Sequence, residues 1–201
     1  VSAPTITVVV PTVDGREKHL ERCIAAYRNR SRYPVELIVL ENRPTCGAAW
    51  IEGAEAATGD YVHFSADDLE PSAGWDVEAV GYASTGIAPS PRILGPDGDT
   101  QFCGMHGPNE WPSGLLVPMS VIPFLSRPML RAALPLLDAH YFTDNWISWK
   151  LYRAGFVTAV ARGFEFTHHW AQTRRGAGMS EPARMRHDRA LFEAAIDGTV
   201  P

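Results

Sequence analysis

The chain has 201 residues, 45% of them hydrophobic and 20% charged, a composition that suits one globular domain able to bury its own core. A net charge of −5 and a pI near 5.8 leave no overall basic field to draw it to nucleic acid or anionic lipid. No apolar run approaches a membrane span and no secretory leader opens the chain; with three cysteines (Cys23, Cys46, Cys103) that lack metal-ligand spacing, the expected setting is a reducing, cytoplasmic one.

In chain order, Ile6 to Val10 is a β-branched run that reads as a central strand and ends at Pro11-Thr12. Asp14 and Glu17 have capping-box spacing, which predicts a helix with Asp14 as N-cap and Leu20, Cys23, Ile24 and Tyr27 on one face. A polar turn leads to a second strand, Val35 to Leu40, ending in Glu41-Asn42. Cys46 to Ala57 reads as a short Ala-rich helix. Tyr61, Val62 and Phe64 then mark a third strand that stops at two adjacent carboxylates, Asp67 and Asp68. Strand, helix, strand, helix, strand predicts parallel pairing through right-handed crossovers, the nucleotide-binding half of a doubly wound sheet. In such sheets ligands sit beyond the carboxyl ends of the strands. No Gly-rich phosphate loop is present, so a diphosphate has to be held another way, and a hard divalent cation on Asp68 supplies one. An isolated Asp-Asp pair more often caps a helix or solvates a turn; the order of the surrounding elements gives this pair its interest.

The second half is less regular. A helix continues through Val77 to Tyr82. Residues 84–98 read as loop with one short strand at Arg92-Ile93-Leu94, and residues 95–114 as a polar, glycine-punctuated loop carrying Phe102, His106, Glu110 and Trp111. Leu115 to Ser126 suggests one or two strands bent at Pro118 and Pro123, and Arg127-Pro128 opens a helix through Leu137. Asp144 stands at the start of another helix, a position that suits an N-cap as well as a pocket rim. Val157 to Val160 and Phe164 to Thr167 read as two short strands, the second ending in His168-His169. Neutral imidazoles there can ligate Mn²⁺ beside Asp68, and strand alternation leaves open which of the two faces inward. Arg174 and Arg175 sit in a flexible segment suited to gripping a diphosphate. Pro182 to Ala195 predicts an amphipathic helix whose Arg184, Arg186 and Arg189 form a solvated face or a local basic patch. No membrane anchor or second module is expected after it.

The set of motifs resembles a family 2-type glycosyltransferase of the GT-A fold. Val10-Pro11-Thr12, Leu40-Glu41-Asn42 and Phe64-Ser65-Ala66-Asp67-Asp68 stand where that family ends three strands, the last in its Asp-x-Asp metal motif. Glu70 through Gly74-Trp75 is similar to the version found in rhamnosyltransferase-like members, and Asp144 with Arg153-Ala154-Gly155-Phe156 is similar to the segment carrying the catalytic base. The match runs from about Thr5 to His169. It implies a single α/β GT-A domain with a mostly parallel, Rossmann-like sheet flanked by helices, residues 1–83 as nucleotide-binding half and 84–201 as acceptor half. It departs at Ala66, which replaces the first acid of the metal motif, and at Thr143 and Trp146 beside Asp144.

The resemblance implies a metal-dependent, inverting transfer from a nucleotide-diphosphate sugar, a UDP-sugar by preference, to an acceptor hydroxyl. Pro11, Thr12, Asp14, Glu41, Asp67, Arg174 and Arg175 would hold the donor. Asp68, His168 and His169 would hold Mn²⁺ or Mg²⁺, and Asp144 would act as base. His106 and Glu110 each read alone as plain surface-loop residues, and the resemblance places their loop beside the acceptor, which the sequence leaves open: a glycan, a protein, a small molecule or a modified base in DNA. Two rivals stand beside this reading: a non-catalytic sugar-nucleotide or glycan-binding module, suggested by Ala66, Thr143 and Trp146, and a nucleotidyltransferase, against which Pro11-Thr12-Val13-Asp14-Gly15-Arg16 lacks the Gly-rich basic loop.

Overall fold

The computed structural model describes residues 2–103, 119–169 and 181–198. Strand β1 (Ile6–Thr12) is flanked by β2 (Val35–Glu41) and β3 (Tyr61–Phe64), both parallel to it. Helices α1 (Glu17–Arg30) and α2 (Cys46–Ala56) make the crossovers, as the strand–helix alternation predicts. A short antiparallel strand, β7 (Phe124–Ser126), closes this sheet in the order β2-β1-β3-β7.

Alternation along β1 sends its side chains to two cores. Ile6, Val8 and Val10 pack with Tyr27 of α1 and with α3 (Trp75–Ser84). Val9 packs on the other face with Trp50 and Ala54 of α2, and with α4 (Arg127–Ala133) and α5 (Thr143–Arg153). A Cβ at Gly53 would overlap the Val9 side chain, so glycine there lets α2 lie directly on β1.

A second sheet, not anticipated as such, has the order β4-β8-β5-β6. It comprises β4 (Leu69–Pro71), β5 (Ile87–Leu94), β6 (Thr100–Cys103) and β8 (Val157–His168). The sheet is mixed: β8 runs antiparallel to β4 and parallel to β5. Its aromatic face meets the first sheet around a fully buried cluster of His63, Trp75, Phe124, Phe164 and Phe166. Burying each large apolar side chain contributes about 1.5–3 kcal/mol, which makes this cluster the clamp between the sheets. Burial pushes the His63 pKa down to about 3, against the opposing contact with Pro123 O; the ring is a neutral core residue that meets the Tyr27 hydroxyl at 2.9 Å.

Several expectations are corrected. Asp14 does not cap α1: Arg16 holds the N-cap position without a side-chain cap bond, and Glu17 reaches back to the Gly15 N–H. The helix expected through Leu137 stops at Ala133, because Pro135 disfavours helical backbone at the residue before it. The two strands expected around 157–167 are one, β8, with a register shift opposite Ser90/Arg92. The short strand expected at 92–94 extends from Ile87 despite Pro89 and Pro91. Helix α6 (Glu181–Ile196) completes the described chain, and no helix among the described residues is long and apolar enough to cross a membrane.

Candidate functional site

The three parallel strands end side by side, and the site grows from their carboxyl ends. Past Phe64 the chain keeps one more ladder bond, Ser65 N–H to Val9 O at 2.9 Å, before turning through Ala66-Asp67-Asp68. Both aspartates are buried, 4% and 6% exposed, and buried carboxylates require partners. Asp67 Oδ2 accepts from Thr12 Oγ1 at 2.6 Å and from Arg16 Nε at 2.7 Å; Asp67 Oδ1 accepts from Arg16 Nη2 at 2.5 Å. The same Nη2 stands 3.2 Å from Asp68 Oδ2. Burial opposes the guanidinium's charge, but hydrogen bonding to Asp67 and attraction from Asp67 and Asp68 outweigh it and raise the Arg16 pKa.

The register of β8 against β4, His168 opposite Leu69, separates the two histidines. His168 Nε2 lies 3.4 Å from Asp68 Oδ2. His169 turns to the other side, its Nε2 2.9 Å from Glu70 Oε1 though buried and out of hydrogen-bond geometry. Glu70 is also held by Arg22 at 2.7 Å and Arg30 at 3.2 Å. His168 Nδ1 meets Gln101 Oε1 at 3.0 Å. A ring that donates from Nδ1 keeps Nε2 bare when neutral, which is the form that ligates a metal.

The Asp68 and His168 side chains suit a hard-to-borderline divalent ion: a carboxylate oxygen and an imidazole nitrogen converge at 3.4 Å, with Gln101 on the other ring nitrogen. Asp67 does not join them, since both its oxygens are engaged by Thr12 and Arg16. No group of three or more His, Cys, Asp and Glu among the described residues could hold a metal by itself, so further ligands would come from a substrate.

Two cavities meet here. The larger, about 740 Å³, is walled by Pro11, Thr12, Asp14, Asp67, Asp68 and His168, with Arg184 reaching it from α6. Asp14 is tied across the strand ends to Asn42 by reciprocal bonds of 3.1 and 2.8 Å. Glu41 is exposed and off this wall, whereas Leu40 and Asn42 line it; alternation sends the intervening side chain the other way. The smaller cavity, about 670 Å³, contains Asp144 with Trp50, Met119 and Ile122, and Arg186 and Arg189 border it. Cys46, Ala66, His140 and Tyr141 line both.

Asp144 is not an N-cap. Phe142 holds that position in left-handed backbone (φ 67°), and Asp144 is the second helical residue, with Asn145 N–H donating to its Oδ1 at 2.9 Å. A carboxylate in the first turn is favoured by the helix dipole. Asp188 of α6 accepts from the backbone N–H groups of His140 and Tyr141, both at 3.0 Å, and so docks α6 on the shared wall. Burial, and then the charges of Asp144, Asp67 and Asp68, push the Cys46 thiol up; it is a protonated wall residue rather than a nucleophile.

Arg174, Arg175, His106, Glu110 and Trp111 lie outside the described residues. Sequence reasoning missed Arg16, Gln101 and Asp188. An arginine directly after a strand-end Asp-Gly turn was a usable signal for the first. Gln101 and Asp188 carried none, since their roles depend on contacts 67 and 48 residues away.

A parallel β/α half with paired aspartates at the strand ends, joined to a second mixed sheet that adds a histidine, defines a nucleotide-diphospho-sugar transferase type of fold. Residues 9–113 match the sequence model of Glycosyl transferase family 2, more than half of the chain, and the protein belongs to that family. The model describes the family as a whole and does not single out rhamnosyltransferase-like members. No curated protein matches in sequence.

Solved structures share the fold. GalNAc-T7 with UDP, GalNAc and Mn²⁺ superposes with a TM-score of 0.71 at 15% identity, over 98% of this chain and 50% of that one. Glucosyl-3-phosphoglycerate synthase from Mycobacterium tuberculosis, with Mn²⁺, UDP and phosphoglyceric acid, gives 0.67 at 20% identity, over 98% and 80%. S. aureus TarS gives 0.64 at 11% identity, over 96% and 39%. The chain thus spans well under half of TarS and half of GalNAc-T7.

Proposed function

We propose that this protein transfers a glycosyl group from a nucleoside-diphosphate sugar, a UDP-sugar first among candidates, to an acceptor hydroxyl with inversion at the anomeric carbon. The observation that carries the reading is the meeting of the two cavities across Cys46, Ala66, His140 and Tyr141. One holds the converging Asp68 and His168, the other Asp144. UDP and Mn²⁺ in two of the fold relatives support the choice of donor and ion.

The larger cavity would take the donor along Pro11, Thr12 and Asn42, with its diphosphate toward Asp68 and His168. Asp68 and His168 would hold a divalent cation, whose chemistry is to neutralise charge on the departing diphosphate. Asp144, in the adjoining cavity, would accept the proton of the acceptor hydroxyl as that oxygen attacks the anomeric carbon from the face opposite the diphosphate. The carbon–oxygen bond to the diphosphate breaks as the new one forms, and one displacement inverts the centre. The protein forms no covalent bond in this scheme, so positioning and electrostatics supply the rate.

The test is release of nucleoside diphosphate from a panel of nucleotide sugars in the presence of Mn²⁺, with water and then simple sugars as the acceptor. Turnover of one donor class that Asp144→Asn suppresses, while donor binding persists, supports the reading. Donor binding without turnover for every donor, with any simple sugar acceptor, would instead favour a non-catalytic binding module.

A further inference from the structure

We infer that Arg16 sets the cation affinity of this site, keeping it weak until a diphosphate arrives. The inference rests on the cation site proposed above and adds a residue that acts on it without touching the reacting atoms. Arg16 is a positioning residue.

Its geometry makes it a fixed cation. The guanidinium forks onto Asp67 through Nε and Nη2 at 2.7 and 2.5 Å, and Thr12 braces the same carboxylate at 2.6 Å. Arg16 is 8% exposed, and a bidentate, buried guanidinium does not swing away readily. Its Nη2 also reaches Asp68 Oδ2, the oxygen that His168 Nε2 faces. A divalent ion binding Asp68 and His168 would therefore enter beside a permanent positive charge.

The charge count leads to the same place. Within the ion-paired cluster itself, Asp67 and Asp68 carry −2 and Arg16 returns +1. The next acid along, Glu70, is engaged by Arg22 and Arg30. A Mn²⁺ ion on Asp68 would share that carboxylate with Arg16, whose Nη2 lies 3.2 Å from Asp68 Oδ2, and the two positive charges would repel each other. A nucleoside diphosphate brings negative charge and extra oxygen ligands, so ion and diphosphate are expected to bind together. By linkage each then strengthens the other.

The experiment is a Mn²⁺ titration followed by electron paramagnetic resonance, without nucleotide and then with UDP, on wild type, Arg16→Gln and Arg16→Lys. Without nucleotide, Arg16→Gln should bind Mn²⁺ at least about tenfold more tightly than wild type, because one charge at contact distance is removed. Arg16→Lys, which keeps the charge, should stay within about threefold of wild type by the same reasoning. Added UDP should narrow the gap between wild type and Arg16→Gln. Equal or weaker binding by Arg16→Gln overturns the inference while leaving the cation site standing. No Mn²⁺ binding by any form, even with UDP, removes the cation site itself and the inference with it. A second measurement needs no variant: the wild-type Arg16 Nε–H resonance should stay in place with Mg²⁺ alone and shift when Mg²⁺ and UDP are added together. A shift with Mg²⁺ alone, unchanged by UDP, would count against the inference.

Discussion

The two adjoining cavities differ in how their acids are set. In the larger one the acids are compensated within the wall: Asp67 by Thr12 and Arg16, Asp68 by Arg16 with His168 alongside, Asp14 by Asn42. In the smaller one Asp144, set in the first turn of α5, shares the lining with the apolar Trp50, Met119 and Ile122 and with Arg186 and Arg189 of α6. In the proposed function the first arrangement would hold charge in place before a cation and diphosphate arrive. In that function the second would supply one proton acceptor, Asp144, for an acceptor hydroxyl. Damage to the two should therefore differ in kind.

The largest effect is expected in the smaller cavity. Asp144→Asn should lower kcat by about 10²–10⁴-fold, the usual range for a lost general base, while the UDP-induced rise in melting temperature stays as in wild type. Equal loss of donor binding would move Asp144 into the donor site and erase the distinction. In the larger cavity Asp67→Asn should act first on stability: removing one partner of a buried ion pair costs about 3–5 kcal/mol, measurable by urea denaturation. A stable Asp67→Asn protein would mean that the Arg16–Asp67 fork is not what holds the strand ends.

A smaller change is expected from the clamp between the sheets. His63 titrates near 6.5 when unfolded and at about 3 when folded. Between those values the unfolded chain binds the extra proton, so stability is complete above pH 6.5 and falls as pH drops toward 3. The slope from this group is at most about 1.4 kcal/mol per pH unit. His63→Gln should flatten that part of the pH–stability curve. The smallest effect sharpens the comparison: Gln101→Ala frees the His168 ring, and loss of such an outer partner weakens metal binding about 10- to 100-fold. Mn²⁺ affinity in the presence of UDP should fall accordingly, with Asp144-dependent chemistry unchanged at saturating ion.

What could be read from the sequence follows the same divide. The first sheet was legible because β1 and β3 are buried on both faces and their β-branched and aromatic runs say so, as in Ile6 to Val10 and Tyr61 to Phe64. The second sheet was not. β5 carries Pro89 and Pro91, which argue against a strand. It survives because the described pairing with β6 begins only at Arg92, and Pro91 falls at the break in register with β8. β8 looked like two strands because Arg162-Gly163 interrupts its apolar pattern, and the Gly163 N–H bonds to the Glu78 side chain instead of the ladder. At the site, Asp68 and the His168-His169 pair stood out by their positions at strand ends. The choice between His168 and His169 required the register of β8 on β4. Arg16 looked like part of a capping sequence, and its engagement with Asp67 depends on a turn, with Gly15 at φ 82°, that no periodicity encodes.

The most direct test of the central claim is a thermal-shift measurement with UDP, with and without Mn²⁺, on wild type and Asp68→Ala. A ligand that binds only the folded state raises the melting temperature by mass action. The two-cavity account predicts a rise with UDP that Mn²⁺ enlarges in wild type and not in Asp68→Ala. No rise with UDP or any other nucleoside diphosphate, with or without Mn²⁺, would contradict it.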